Sequence, residues 1–134
     1  MDFIAEPSII SSMSNRPLCH PSIDDVTVSG ILHALADPVR MGIVDELRNS
    51  DTGMNCVETI GKIDASMPKS TCSLHFQILR ESGLIRSERK GIELNSQLRL
   101  KELETRFPGL IDSILQAFRA ERHAASSQKQ MPKA

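Results

Sequence analysis

Apolar residues recur at helical spacing along much of the chain, and their positions predict a mainly α-helical domain. In the first such stretch they fall at 28, 31, 32 and 35. A second helix is predicted from Pro38 to about Asn49, because Asp37 is a good N-cap and proline is favoured at the first helical position. A short helix is predicted over residues 55–63.

The pattern then predicts a longer helix, a hairpin and a last helix. The longer helix begins near Pro68 and ends at Gly83, a residue suited to a left-handed C-cap. Two short runs flank Lys90-Gly91 and predict a β-hairpin that carries Arg89 and Lys90 at its tip. The last helix opens at Pro108-Gly109. Its apolar stripe consists of Leu110, Ile111, Ile114, Leu115 and Phe118.

The helix after Pro68 has a polar face with little charge. At about 3.6 residues per turn, its core side consists of Cys72, Phe76 and Leu79. The opposite side consists of Ser70, Ser73, Leu74, Gln77 and Glu81. A solvated face would more often carry Lys and Glu. Hydroxyls and an amide can instead hydrogen-bond base edges in a DNA major groove.

A short helix, a turn, a polar-faced helix and a basic hairpin follow one another in the order of a winged helix-turn-helix. In that geometry the hairpin tip would reach the flanking DNA backbone or minor groove. The start of the polar-faced helix suits a phosphate group. The predicted DNA-binding residues are Lys69, Ser70, Thr71, Ser73, Leu74, Gln77, Arg80, Arg86, Arg89 and Lys90.

Charge is segregated along the chain, although the net charge is only −1. Residues 62–101 hold eight Lys/Arg against four acids, whereas the remaining residues hold eight bases against thirteen acids. Such segregation is expected when one face meets phosphate, and a chance imbalance in a solvated surface is the alternative. The aromatic residues are four phenylalanines, so the sequence offers no stacking platform for single-stranded bases.

Three motifs resemble the ArsR family of bacterial repressors. Leu32-His-Ala-Leu-Ala-Asp-Pro-Val-Arg40 is similar to the family pattern Leu-x-x-Leu-Ala-Asp-Pro-x-Arg. Lys69-Ser-Thr-Cys-Ser-Leu-His-Phe-Gln-Ile-Leu-Arg-Glu-Ser-Gly-Leu-Ile85 resembles the family's recognition helix, and Arg106-Phe-Pro-Gly-Leu-Ile-Asp112 a final-helix signature of one branch. The similarity spans residues 26–120. It implies a winged helix that forms a homodimer through its first and last helices.

The predicted dimer interface lies on two apolar stripes that together hold more apolar surface than a small core is expected to cover. Its residues are Ile31, Leu32, Leu35, Leu110, Ile111, Ile114, Leu115 and Phe118.

Leu74 departs from the family, which usually has a polar His or Gln at this DNA-facing position. A leucine there either offers apolar contact, for example to a thymine methyl, or packs against the second helix.

The cysteines raise the question of sensing. Cys19, Cys56 and Cys72 are odd in number and widely spaced, which argues against a disulfide framework and indicates a reducing compartment. Cys72 is expected to pack in the core, where its oxidation would disturb the placement of the helix.

The family resemblance suggests where a metal would bind. Many relatives sense metals through a run like Glu-Leu-Cys-Val-Cys-Asp-Leu, and Met54-Asn-Cys-Val-Glu-Thr-Ile60 has the first cysteine but not the second. A four-ligand site would have to recruit Cys19, His20, Cys56 and Glu58. The alternative is a small buried Cys56 and a disordered Cys19. The family's other site, on the last helix, would have only Asp112 and His123. We therefore expect no tightly bound metal and no cofactor.

The sequence thus predicts a DNA-binding transcriptional regulator, a repressor that binds a dyad-symmetric double-stranded operator as a homodimer. One alternative is a metal- or redox-responsive sensor of the same family that uses Cys56 with Cys19 and His20. Another is a winged-helix protein-interaction or RNA-binding module. No catalytic arrangement can be picked out of the sequence, so an enzyme is not expected. Whether a small-molecule or metal effector exists stays open.

Composition sets the expected boundaries. Residues 1–22 contain several prolines and serines and are predicted to form a flexible arm. The DNA-binding and dimerisation domain is predicted over 23–123, and a flexible tail over 124–134. The first residues carry acids where a signal peptide would carry bases, and no apolar run approaches the roughly 20 residues of a membrane span. These features predict a cytoplasmic protein without a membrane partner.

Overall fold

The computed structural model of the chain describes residues 18–130, and side chains as far as residue 126. The helices are α1 (Val28–Leu35), α2 (Pro38–Arg48), α3 (Cys56–Gly61), α4 (Lys69–Glu81), α5 (Leu100–Arg106) and α6 (Leu110–Gln130). The strands are β1 (Met54–Asn55), β2 (Ile85–Lys90) and β3 (Glu93–Leu98). A short 3-10 turn at Ile23–Asp25 precedes α1. The predicted fold class, mainly helical with a β-hairpin, is confirmed.

Side chains at the N-cap positions fix where the first three helices begin. The Thr27 hydroxyl accepts a hydrogen bond from the Gly30 amide at 3.0 Å. Asp37 accepts from the amides of the two residues after Pro38, which confirms the predicted start of α2. Asn55 and Glu58 form a reciprocal capping box at the start of α3. Local sequence therefore sets these boundaries to within a residue or two of their predicted positions.

The predicted hairpin is formed by β2 and β3, and it acquires a third strand. The order in the sheet is β1-β3-β2, with every neighbouring pair antiparallel. Ile85 pairs with Leu98 at the base of the hairpin, and Lys90 pairs with Glu93 beside its turn. Gly91 occupies the turn with φ at +66°. We call the β2–β3 hairpin the wing.

The core lies where α1, α2, α4 and α6 meet the base of the wing. Its fully buried side chains include Ile31, Ile43, Leu47, Leu79, Leu84, Ile85, Leu103, Ile111 and Leu115.

Half of the residues predicted for the dimer interface belong to this core. Ile31, Leu35, Ile111 and Leu115 are at most 2% exposed, so the core of a single chain already covers them. Leu32 is the predicted interface residue that stays well exposed, at 50%.

The C-terminal part differs from the prediction in two ways. Helix α5 was not predicted; it buries Leu103 completely, and Arg106 donates to the carbonyl oxygens of Ile23 and Val26. Helix α6 continues to Gln130, through most of the stretch for which a flexible tail is predicted.

Two ion pairs connect α6 to α2. Arg48 donates to Asp112 at 2.8 Å, and Arg119 lies 2.6 Å from the buried carboxylate of Asp45. The hydrogen bond from Arg48 lowers the pKa of the Asp112 carboxyl below its ordinary value. Of the helices described between residues 18 and 130, none is long and apolar enough to cross a membrane.

Candidate nucleic-acid interface

Helix α4 presents one face to the core and the other to solvent, as the spacing predicts. The buried residues are Cys72, Phe76 and Leu79, none more than 4% exposed. The exposed residues on the opposite face are Ser70, Ser73, Leu74 and Gln77. Leu74 is 53% exposed, which answers the question its sequence position raised: its side chain points away from the core. We call this exposed surface the α4 face.

The two ends of α4 are built differently. At the C-terminal end Gly83 has φ at +89°, and the Leu84 amide bonds back to the Leu79 carbonyl at 3.1 Å. At the N-terminal end the preceding residue is Pro68, which provides no side-chain cap. The first amides of α4 consequently have no capping side chain within the described part of the chain.

Gln77 lies at the centre of the α4 face, and its amide already has a neighbour. Its Nε2 donates to Glu81 Oε2, one turn further along the helix, at 3.1 Å. This bond lies on an exposed surface and orients the amide outwards. The amide nitrogen has a second hydrogen, which stays available to a base edge.

The structure gives two of the predicted DNA-binding arginines intrachain partners. Arg80 is half-buried and donates to Ser87 Oγ at 3.3 Å, which joins α4 to the wing. Burial lowers the pKa of the Arg80 guanidinium below its ordinary value. Arg86 lies 3.5 Å from Glu102 of α5. Both side chains thus contact other residues near the base of the wing, partners that the spacing of basic residues could not reveal.

The tip of the wing carries the remaining predicted cations together with an apolar side chain. Arg89 and Lys90 are exposed and form no ion pair with another described residue. Ile92, in the turn beside Gly91, is fully exposed. Ile92 was not among the predicted site residues, although an isoleucine next to a turn glycine in a polar hairpin was a visible signal.

The end of the predicted arm packs along the open edge of β2. His20 Nε2 accepts a hydrogen bond from the Ser87 amide at 3.0 Å, and Arg99 donates to the Pro21 carbonyl at 2.9 Å. Burial, with the charges of Arg86, Arg80 and Arg99, lowers the pKa of His20 below 6.5. His20 thus contacts the wing and Pro21 contacts Arg99, just after the end of β3. Residues 1–17 of the predicted arm lie outside the described part.

Comparisons with known proteins agree with this geometry. A helix-turn-helix domain family model matches residues 35–88, from the end of α1 into β2. An uncharacterized HTH-type transcriptional regulator of Bacillus subtilis, YceK, is 31% identical over 91 residues, which cover 68% of this chain and 89% of YceK. The HTH-type transcriptional repressor SmtB of Mycobacterium tuberculosis is 40% identical over 65 residues, which cover 48% of this chain and 44% of SmtB.

A solved structure agrees at the level of the fold. The crystal structure of an ArsR family transcriptional regulator matches with a TM-score of 0.51 at 22% identity, covering 75% of this chain and 96% of the other. The chain belongs to the ArsR family of winged helix-turn-helix transcriptional regulators. It is accordingly a DNA-binding transcriptional regulator.

The cysteines of this ArsR-family chain are arranged differently from the prediction. Cys56 at the start of α3 and Cys72 in α4 are joined as a disulfide, whereas their spacing had argued against one. The expectation failed because residues 16 positions apart are brought together by the turn between α3 and α4. Cys19 is exposed and unpaired within the described residues.

The metal-sensing alternative does not assemble in this structure. His20 accepts from the Ser87 amide, and Glu58 belongs to the capping box of α3. Cys56 is bonded to Cys72. Within the part of the chain that the structure describes, no group of three His, Cys, Asp or Glu side chains could hold a metal ion. The four candidate ligands are thus engaged elsewhere or left apart.

Proposed function

We propose that this ArsR-family protein represses transcription by binding a dyad-symmetric operator as a homodimer. In each half-site, α4 would enter the major groove and the wing tip would contact the flanking backbone. The observation that carries the proposal is the α4 face, where four neighbouring residues are exposed while the other side of the helix is buried. SmtB, a similar protein, is described as a transcriptional repressor, which supports the direction of regulation.

The α4 face supplies the chemistry for reading bases. The Gln77 amide can make a paired contact to adenine N6 and N7, and the Ser73 hydroxyl can donate to or accept from a base edge. Leu74 can contact a thymine methyl, where a polar side chain would instead seek a hydrogen bond. The proposed operator therefore includes at least one A·T pair under the centre of α4 in each half-site.

The wing tip supplies affinity that does not depend on sequence. Arg89 and Lys90 would each neutralise a phosphate and release its counterions, which makes binding sensitive to salt. Lys69, exposed at the start of α4, would add a third such contact. Arg80 and Arg86 are left out of this interface because their guanidinium groups are engaged at the base of the wing.

The homodimer is supported by apolar surface left on α1. Val28 and Leu32 are 41% and 50% exposed, one turn apart on the same side of the helix. Leu110 and Ile114 of α6 are only half-buried. We propose that these four residues, rather than the whole of the two predicted stripes, form the centre of the dimer interface.

The proposed function includes no catalytic step. We propose the cytoplasm as the compartment of the protein, because the bacterial chromosome lies there.

The wing assignment is tested by duplex binding at several salt concentrations. We expect Lys90→Ala to weaken binding to all sequences alike and to flatten the slope of log K against log salt by about one unit. Lys101→Ala serves as the matched control, because it removes an exposed positive charge from α5, away from the α4 face and the wing tip. This variant should leave the slope unchanged. A Lys90 variant with altered base preference and an unchanged slope would reverse the roles given to the wing and α4.

A further inference from the structure

The Cys56–Cys72 pair joins the two helices of the helix-turn-helix. Cys56 is the first residue of α3, and Cys72 lies one turn into α4. Cys72 is 3% exposed on the core side of α4, directly behind Ser73 and Leu74. A bond between the two sulfurs therefore connects the recognition helix to its neighbour without covering the α4 face.

The disulfide restrains the N-terminal half of α4, which is otherwise the less restrained half of the helix. Further along the helix, His75 Nδ1 lies 3.2 Å from the Arg40 guanidinium, and Arg80 donates to Ser87 at 3.3 Å. The first turn has no side-chain cap at Pro68, and its residues before Cys72 are exposed. An uncapped first turn frays more readily than a capped one. Lys69, Ser70 and Ser73 of the proposed DNA interface lie in or next to this turn.

Small molecules can reach the pair through an open groove between α3 and α4. The groove has a volume of about 260 Å³, and both cysteines line it. The other lining residues include Val57, Ile60, Met67 and Lys69. Both cysteines thus border this groove, although Cys72 itself is almost fully buried.

We propose that Cys56 and Cys72 are a redox pair that controls DNA binding, with a hydroperoxide as the oxidant. One thiolate attacks the peroxide oxygen, the O–O bond breaks, and a sulfenic acid forms as water or an alcohol leaves. The second thiol then attacks that sulfur, the S–S bond forms, and water leaves. The two cysteines lose two electrons and two protons, and the peroxide is reduced. Thiol–disulfide exchange with a small dithiol reverses the step.

The oxidised form is the form that binds DNA more tightly. The disulfide holds the first turn of α4 in the position described here, with its face exposed, before DNA arrives. In the dithiol form, ordering that turn costs conformational entropy on binding, and preorganisation removes this cost. This inference rests on the proposed function, because it concerns the regulation of the same α4 face.

The test uses the full chain with Cys19→Ser, so that the exposed third thiol cannot form bonds between chains. The reduced protein is treated with one equivalent of hydrogen peroxide and studied by intact mass and peptide mapping. We expect a loss of two hydrogens that maps to Cys56 and Cys72. The midpoint of thermal unfolding should rise by roughly 10 °C, as for a cross-link that closes a loop of this length.

Affinity is then measured for a duplex selected from random sequence by this protein. The oxidised protein should bind it about tenfold more tightly than the reduced protein. Cys56→Ser, at a half-buried position, and Cys72→Ala, at a buried one, should each abolish this difference. Because the two positions differ in burial, an effect that both variants share reports the loss of the bond and not damage to the core.

Three results would overturn the redox proposal: no disulfide after peroxide treatment, equal affinity of the two forms, or weaker binding by the oxidised form. Each leaves the proposed function standing if the Cys56→Ser protein still binds the selected duplex. Failure of every variant and both redox forms to bind any duplex would instead contradict the proposed function itself.

Discussion

At the scale of single residues, the α4 face depends on Gln77 and its neighbour Glu81. The hydrogen bond between them lies on an exposed surface and occupies one of the two hydrogens of the Gln77 amide nitrogen. Glu81 adds a negative charge close to the surface that DNA would approach. The two residues should consequently have opposite effects on DNA binding when each is replaced.

Replacing Gln77 with Ala should weaken operator binding by roughly 1–3 kcal/mol, because a paired base contact is lost. The preference at one base pair of each half-site should relax. Glu81→Ala should strengthen binding to all duplexes, since it removes a repelling charge and frees the amide. Both effects can be measured by fluorescence anisotropy with the selected duplex and single-base variants of it. A Gln77 variant with parental affinity and preference would remove α4 from base reading at this position.

His20 should titrate at a pH below 6.5, the ordinary pKa of histidine. Burial and the nearby charges of Arg86, Arg80 and Arg99 disfavour the protonated ring, and only the neutral ring can accept from the Ser87 amide. The unfolded chain therefore binds this proton more readily than the folded one. The contribution of His20 to stability is present above pH 6.5 and is lost as the pH falls through the folded pKa.

The measurement is an NMR titration of the imidazole signals, with His20→Asn used to assign the His20 resonance. The unfolding free energy of the parent should fall more steeply below pH 6.5 than that of the variant. A His20 signal that titrates at or above the ordinary value would contradict the contact between the arm and the wing.

Single-residue properties could be predicted from sequence where they depend on neighbours within one helix. The burial of Cys72, Phe76 and Leu79 follows from their spacing alone. The partners of Arg80, Arg86 and His20 could not be predicted, because each lies on another element brought close only by the fold. The same applies to the bond between Cys56 and Cys72.

At the scale of the elements, the junction between α4 and the wing depends on Gly83. Its backbone has φ at +89°, and a Cβ placed there would lie 2.2 Å from Val26 Cγ2. Only glycine meets both conditions without strain. The chain can therefore pass from the end of α4 directly into β2, with Leu84 and Ile85 buried in the core.

Gly83→Ala should lower the free energy of unfolding by roughly 2–4 kcal/mol, because a backbone penalty and a steric clash with Val26 act together. Gly91→Ala is the matched control: its φ is also positive, at +66°, but nothing lies within 4 Å of the added Cβ. That variant should lose about 1 kcal/mol, the backbone penalty alone. Urea unfolding followed by circular dichroism measures both changes. Equal losses in the two variants would show that the contact with Val26 has no energetic effect.

Elements with capping residues and a clear apolar period were predictable, and the short elements without them were not. Asp37-Pro38 predicts the start of α2, and Gly83 predicts the end of α4. Helix α5 has seven residues, no side-chain cap and one buried side chain, Leu103. Strand β1 has two residues and is defined only by its pairing with β3. Such elements exist because of their tertiary contacts, which a local pattern does not contain.

At the scale of the whole molecule, the core of a single chain contains most of the apolar residues that the sequence had assigned to a dimer interface. The apolar stripes of α1 and α6 are long enough to suggest an interface, yet most of their residues pack inside a single chain. A pattern of apolar residues predicts burial but does not indicate which chain provides the cover. The exposed remainder, Val28 and Leu32, is small but continuous.

Sedimentation equilibrium at micromolar concentration should show a dimer. Leu32→Glu should shift the equilibrium to monomer with little change in circular dichroism, because it places a charge in the proposed interface while the core stays intact. Leu74→Glu is the matched control, since Leu74 is also about half exposed but lies on the α4 face. It should leave the dimer intact and weaken DNA binding. A parent protein that sediments as a monomer at this concentration would contradict the homodimer.

Selection of duplexes from a random-sequence pool is the sharpest test of the proposed function, because it requires the α4 face, the wing and the dimer to act together. We expect a dyad-symmetric motif with half-sites about one helical turn apart. We also expect the same selection with Gln77→Ala to lose the preference at one position in each half-site and to keep the symmetry. Recovery of no motif from the parent, or of a motif that Gln77→Ala leaves unchanged, would contradict sequence reading by α4.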